Sequence, residues 1–133
     1  WTIKVLEYLH LEVISNPNIT IIGQNLKFDF HVMANYIGKL LILAQYEDTM
    51  YMDHCIDNTR PHGLKEIVPR VYPQYQGYEN EVHKYKWDAV PLLILSKYAC
   101  VDSDLTLRLK TYLEQILIED ERSYPCCYCY LPG

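Results

Sequence analysis

Two short stretches hold the residues best suited to chemistry. The first runs Ile22-Gly23-Gln24-Asn25-Leu26-Lys27-Phe28-Asp29 and the second Tyr98-Ala99-Cys100-Val101-Asp102-Ser103-Asp104. Each puts an aspartate at the start of a run with helical character. Each also has a polar residue four positions earlier, Asn25 before Asp29 and Tyr98 before Asp102. If folding brings Asp29 and Asp102 together, two carboxylates face one point. Oxygen donors of that kind suit hard divalent cations, and phosphodiester hydrolysis commonly uses such cations. Every one of these residues has a plainer reading too. Asp29 in a first helical turn complements the helix dipole, Asp102 beside Ser103 belongs to a cap, and Asn25 is an N-cap. Asp104 reads as a cap or first-turn acid. Tyr98 is then one packed tyrosine among 13. Only the joint pattern favours a cation site.

The elements that must position these residues follow from periodicity. Val5 to Ile14 carries apolar residues near helical spacing, and Ser15-Asn16-Pro17-Asn18 stops it. Ile19-Thr20-Ile21-Ile22 is β-branched and reads as a buried strand, with Gly23 where the chain turns. A helix follows Asn25, with Phe28, Val32, Met33 and Tyr36 on one face and Gly38 closing it. Leu40 to Tyr46 reads as a second strand, and Asp48 or Thr49 as the cap of a helix through about Cys55. Asn58 to Pro61 is a turn, and His62 to Val71 a short helix interrupted by Pro69. Tyr72 to Lys86, rich in Tyr, Gln, Glu and Lys, reads as a mobile loop. Val90 to Tyr98 is a helix with Pro91 early in it. A last helix starts at Ser103 or Asp104, with Leu105, Leu109, Leu113, Ile116 and Leu117 on its apolar side. This order predicts an α/β fold. Two strands make a poor sheet, so further strands are expected upstream of Trp1 or from a partner.

The 133 residues suit one domain, and half are apolar. The net charge of −5 offers no general attraction for nucleic acid, so such a site must work through local contacts or bound metal. The five cysteines, an odd count without regular spacing, argue against a secreted disulfide framework. Cys126, Cys127 and Cys129 lie too close together for paired zinc ligands and read as reduced thiols in a tail. No signal peptide is visible in these residues, and no apolar run reaches the roughly 20 residues that cross a bilayer. Asp53, His54, Asp57 and His62 match no metal-ligand spacing and read as a solvated helix end and a turn. Tyr72, Tyr75, Tyr78, Tyr85 and Trp87, with Lys84 and Lys86, form either a base-stacking surface or packing.

The stretch Gly23 to Asp29 resembles the second exonuclease motif of family A DNA polymerases, Asn-x-x-x-(Phe/Tyr)-Asp. His31-Val32-Met33-Ala34-Asn35-Tyr36 and Asp48-Thr49-Met50 continue the likeness. Tyr98 to Leu107 resembles the third motif, Tyr-x-x-x-Asp. The resemblance covers roughly residues 4 to 115. It implies the tyrosine subclass of the DEDD 3′–5′ exonucleases, because Tyr98 stands four residues before Asp102. The histidine subclass carries its base five residues before, where this chain has Lys97.

The resemblance implies a ribonuclease H-like α/β fold, truncated at its N-terminus, with a mostly helical remainder. Residues 1–120 would be a partial exonuclease domain and 121–133 a C-terminal tail. Asp29 and Asp102 would hold Mg²⁺ or Mn²⁺ in a two-metal site, and Tyr98 would orient the attacking water or the scissile phosphate. Asn25, with Gln24, would contact the terminal nucleotide of a single-stranded DNA 3′ end, and nucleoside 5′-monophosphate would leave. The first motif, Asp-x-Glu, is not found in residues 1–28. This chain alone is therefore expected to be inactive, and its partners to be the missing strands and a polymerase domain. The setting implied is a bacterial or phage-encoded cytoplasmic protein with no membrane contact. The rivals are an RNase D-like RNA exonuclease of the same subclass and a non-catalytic scaffold with a degenerate exonuclease fold.

Overall fold

The computed structural model describes residues 2–120. The Cys126, Cys127 and Cys129 cluster and the 121–133 segment lie outside them. Helix α1 (Thr2–Leu9) continues into a wider π-helical turn, His10–Ile14. Ser15 ends it: its backbone N–H donates to His10 O at 2.9 Å and its hydroxyl to the same oxygen at 2.6 Å. Strands β1 (Thr20–Gly23) and β2 (Gln45–Asp48) pair in parallel, from Thr20 opposite Gln45 to Gly23 opposite Asp48. A parallel pair needs a crossover, and α2 (Leu26–Ile37) supplies it. Gly38 closes α2 at φ 81°, a conformation suited to glycine, with its N–H bonded to Ala34 O at 2.8 Å.

Helix α3 (Thr49–Ile56) starts directly after β2, capped by Asp48, whose carboxylate accepts from the Met50 N–H at 3.0 Å. Helix α4 (Leu64–Val71) follows, then 3₁₀ turns at Pro73–Tyr75, Val82–Lys84 and Trp87–Ala89, and finally α5 (Leu92–Glu119), 28 residues long. The core lies between α4 and α5, where Ile67 and Val68 meet Leu105, Leu109 and Leu113. Leu105, Leu109, Leu113 and Leu117 recur every four residues along α5, so one stripe of the helix is buried. Helix α5 also packs on α3 and β1. The described residues are thus mostly helical, with a small parallel sheet.

Several sequence expectations change. The predicted break before Ser103 does not occur, and α5 runs through it. Ser103 and Thr106 bond back to the carbonyls of Ala99 and Asp102, at 2.9 and 2.7 Å, instead of capping a new helix. Asp102 therefore sits inside a helix and not at its start. Asp104 is no cap either; it pairs with Arg108 one turn on, at 2.8 Å.

The second strand begins only at Gln45, because the register gives nothing earlier a partner in β1. The N–H groups of Leu43 and Ala44 bond instead to Ile14 O, at 3.0 and 2.9 Å. In α2 the expected apolar face is open, with Phe28 63% and Tyr36 59% exposed. Leu26 is buried instead, and the Phe30 ring meets Tyr46 edge-on at 5.8 Å. Pro69 lies within α4 without breaking it. The Tyr72 to Lys86 segment is irregular, as expected, but fastened: Val82 is buried, and Tyr72, Tyr75 and Tyr78 pack on the core.

Candidate active site

The turn after β1 is set by its backbone. Asn25 adopts φ 62°, ψ 45°, the left-handed region that Asn tolerates better than most residues. It stands at the N-cap position of α2, but its side chain makes no capping bond. Asp48, across the sheet register, does the capping. Its Oδ1 accepts from the Asn25 N–H and its Oδ2 from the Leu26 N–H, both at 2.8 Å. The same Oδ1 accepts from Met50. One buried carboxylate thus closes the starts of both α2 and α3, where the helix dipoles favour negative charge. Sequence reasoning gave Asp48 only the second duty. The usable signal was the parallel pairing, which puts the ends of β1 and β2 side by side.

Gln24 is held at both ends of its amide. Its Nε2 donates to His62 O at 2.7 Å, and its Oε1 lies against the hydroxyl of the fully buried Thr49. The same hydroxyl is 3.1 Å from Gly23 O. Asp29 lies in the first turn of α2 with its side chain exposed. Desolvation by the surrounding protein pushes its carboxyl above the usual pKa. Its backbone hydrogen bond opposes this, and the charge of Asp48 adds to it.

Tyr98 and Asp102 lie one turn apart on α5, so they share a face. The Tyr78 hydroxyl donates to Asp102 Oδ1. The Tyr78 ring stacks on Tyr98 with centroids 5.8 Å apart and planes at 18°. Trp87 meets Tyr98 at 6.2 Å, tilted by 57°. Desolvation, then the charge and hydrogen bonding of Asp102, push the Tyr98 hydroxyl up to about 12. The Tyr78 hydroxyl rises as well, through desolvation first, then its hydrogen bond to Asp102, then the charge of Asp102. At neutral pH Tyr98 therefore keeps its proton and can orient a neighbour as donor, but it is a poor base.

The structure thus sets Tyr98 and Asp102 on one face of α5, ties Asn25 to Asp48 and Gln24 to the Thr49 hydroxyl, and leaves Asp29 near enough to Asp48 to feel its charge. Among the described residues no hydrogen bond or ion pair joins the two groups directly, and no set of three or more His, Cys, Asp or Glu side chains is arranged to hold a metal. The donors present at Asp29 and Asp102 are carboxylate oxygens. That chemistry fits a hydrated Mg²⁺ or Mn²⁺ taking one or two protein carboxylates, and does not fit the nitrogen and sulfur preferences of zinc.

In the helix end and turn that hold the histidines, His54 is exposed and Asp57 bonds within the turn to Thr59, as expected, but Asp53 is not solvated. Asp53 is 1% exposed and accepts from Arg60 Nη2 at 2.7 Å, Arg70 Nη2 at 2.9 Å and His62 Nδ1 at 2.6 Å. Desolvation would raise its pKa, but the bonds from His62, Arg70 and Arg60 outweigh that and hold it below the usual value. An ionised Asp53 requires the proton on His62 Nδ1. His62 Nε2 then faces His54 Nδ1 at 3.2 Å. The aromatic segment also divides: Tyr72, Tyr75 and Tyr78 pack inward, while Tyr85 and Trp87 stay exposed.

With this geometry in place, comparison with known proteins defines the class. The family model described as 3′-5′ exonuclease, that of the A-type DNA polymerases, matches residues 4–118, and the chain belongs to this family. It is similar to the DNA polymerase of Escherichia phage T5, with 29% identity over 98% of this chain and 18% of the phage protein. It is also similar to DNA polymerase I of Borreliella burgdorferi, with 30% identity over 80% of this chain and 12% of that protein. The chain therefore spans less than a fifth of the length of these curated relatives. No solved structure matches it significantly. Among the described residues no helix is long and apolar enough to cross a membrane.

Proposed function

We propose that this chain forms part of a proofreading site that removes nucleotides from the 3′ end of single-stranded DNA, alongside a polymerase in the same or an associated polypeptide. The observation that carries this reading is the Tyr98–Asp102 pair, a protonated hydroxyl one helical turn from a carboxylate. In this reading Asp29 and Asp102 are the protein ligands of Mg²⁺ or Mn²⁺. The cation supplies charge stabilisation for the entering and leaving oxygens of an in-line displacement. Tyr98 donates its hydrogen bond to the attacking water or to a phosphate oxygen and does not take a proton. Asn25, whose side chain does not cap α2, contacts the terminal nucleotide, and Gln24 holds the turn that presents it. A mismatched end reaches such a site more readily because it costs less to unpair.

Two carboxylates are fewer than the four acids the tyrosine subclass uses, and residues 1–28 contain no Asp-x-Glu. We therefore expect weak or no hydrolysis by residues 1–133 alone and strong hydrolysis by a version extended upstream. The assay is release of nucleoside monophosphate from a 3′-labelled single strand with Mg²⁺ or Mn²⁺, run on DNA and on RNA. Tyr98→Phe should slow the extended protein about tenfold or more at neutral pH. Equal activity of the two lengths would refute the incompleteness of the site, and preference for RNA would replace the proofreading assignment.

A further inference from the structure

Tyr78 touches both members of the Tyr98–Asp102 pair from outside their helix. Its hydroxyl donates to Asp102 Oδ1, and its ring lies nearly parallel to that of Tyr98. The residue also packs against the core cluster of α4 and α5. The turn that delivers it is tightly built. Gly77 sits at φ 77°, and a Cβ there would stand 2.6 Å from Asn80 Nδ2. The Tyr78 N–H bonds to Tyr75 O at 3.2 Å, and the Asn80 N–H to Gly77 O at 3.0 Å.

A carboxylate on a helix surface can rotate about two side-chain torsions, and a cation held by it inherits that freedom. A fixed donor on one oxygen removes the freedom and turns the remaining lone pairs in a set direction. A ring stacked face to face limits the neighbouring tyrosine in the same way. Packing alone does not require the hydroxyl, since phenylalanine would fill the same space and make the same stack. Solvation does not require it either, because Tyr78 is only half-buried.

We propose that Tyr78 is a positioning residue for the exonuclease site: its hydroxyl fixes the orientation of Asp102, and its ring fixes that of Tyr98. This rests on reading Asp102 and Tyr98 as the reacting pair. Tyr78 sits in the segment least regular in sequence, and no part of either exonuclease motif includes it.

The test uses the complete gene product and four variants: Tyr78→Phe, Tyr78→Leu, Asp102→Asn, and Tyr72→Phe as a control. Tyr72 is on the same segment and donates its hydroxyl to Arg108 O at 3.3 Å, away from Asp102. Mn²⁺ binding is read directly from the electron paramagnetic resonance signal of the free ion, and hydrolysis is followed against Mn²⁺ concentration. Tyr78→Phe should weaken Mn²⁺ binding and raise the half-activating Mn²⁺ concentration, each by about tenfold. Its kcat at saturating Mn²⁺ should stay within about twofold of wild type, and its melting temperature should not move. Tyr78→Leu should lower kcat as well, since Tyr98 loses its stack. Tyr72→Phe should change neither quantity.

If Asp102→Asn abolishes binding and hydrolysis while Tyr78→Phe matches wild type, Tyr78 has no positioning role and the underlying reading survives. If Tyr78→Phe loses Mn²⁺ affinity only in proportion to a fall in melting temperature, its role is structural and the proposal is wrong. If Asp102→Asn leaves both readouts intact, or wild type shows neither, the underlying reading falls and takes this one with it.

Discussion

At the end of β1 the main chain does the positioning, whereas on α5 the side chains do. The Gly23 to Asp29 turn is pinned by N–H groups pointing at the buried Asp48 carboxylate and by a left-handed Asn25. Tyr98 and Asp102 share a face of a regular helix and are held from outside by Tyr78 and Trp87. The first region is therefore built into the fold and sensitive to anything that loosens it. The second can lose a functional atom and still fold, because the stripe from Leu105 to Leu117 is buried independently of it.

The sharpest contrast is between the aspartates at 102 and 48. Asp102→Asn should cut hydrolysis by the complete gene product about a thousandfold, with little change in urea unfolding. Asp48→Ala should do the reverse in kind: it removes the caps of two helices and should cost about 2 kcal/mol of stability, about 1 for each. Urea melts of both variants decide this, and a stability loss at Asp102 equal to that at Asp48 would erase the distinction between the regions.

Acid should act on the first region through Asp53. Its folded-state pKa is depressed, so its ionised form stabilises the fold above the unfolded value of about 3.9. That contribution should drain away as pH falls below about 3.9 and through the lower folded value. Melting temperatures from pH 7 to pH 2.5 should fall in that window, and Asp53→Asn should be less stable at neutral pH with a flatter profile. Because His62 carries both the bond to Asp53 and the carbonyl that holds Gln24, loosening should spread from α3 and α4 to the turn. A profile unchanged by the substitution would disconnect the network from stability.

The smallest effect belongs to Asn25. Glycine enters the left-handed region freely, so Asn25→Gly should shift stability by no more than a few tenths of a kcal/mol. It should still lower hydrolysis, since the amide proposed to contact the nucleotide is gone. Intact hydrolysis in this variant would assign Asn25 to backbone geometry alone.

Local features of the fold could be read from the residues. The stop in the Ser15 to Asn18 run, the β-branched strand, the cap at Asp48, the glycine closing α2 and the leucine stripe of α5 each depend on neighbours within a few positions. What escaped depends on distant partners. The segment before Gln45 is no strand because β1 is too short to pair with it, and a short apolar run does not carry that information. The unbroken α5 was hidden by Ser103 and Asp104, residues that can cap a helix but here bond back to Ala99 O and pair with Arg108. In the site, the four-residue spacing of Tyr98 and Asp102 is one helical turn, so their shared face follows once the helix is unbroken. The capping of α2 by Asp48, the burial of Asp53 and the hydroxyl of Tyr78 on Asp102 are long-range contacts, and no residue pattern nearby announces them.

Because a single carboxylate closes two helix starts, the amides of Asn25, Leu26 and Met50 have one common latch. Local opening at that point cannot release one helix start and spare the other. Native-state hydrogen exchange should therefore find these amides exchanging as one cooperative unit, with shared protection and a shared response to denaturant, although two of them lie more than twenty residues from the third.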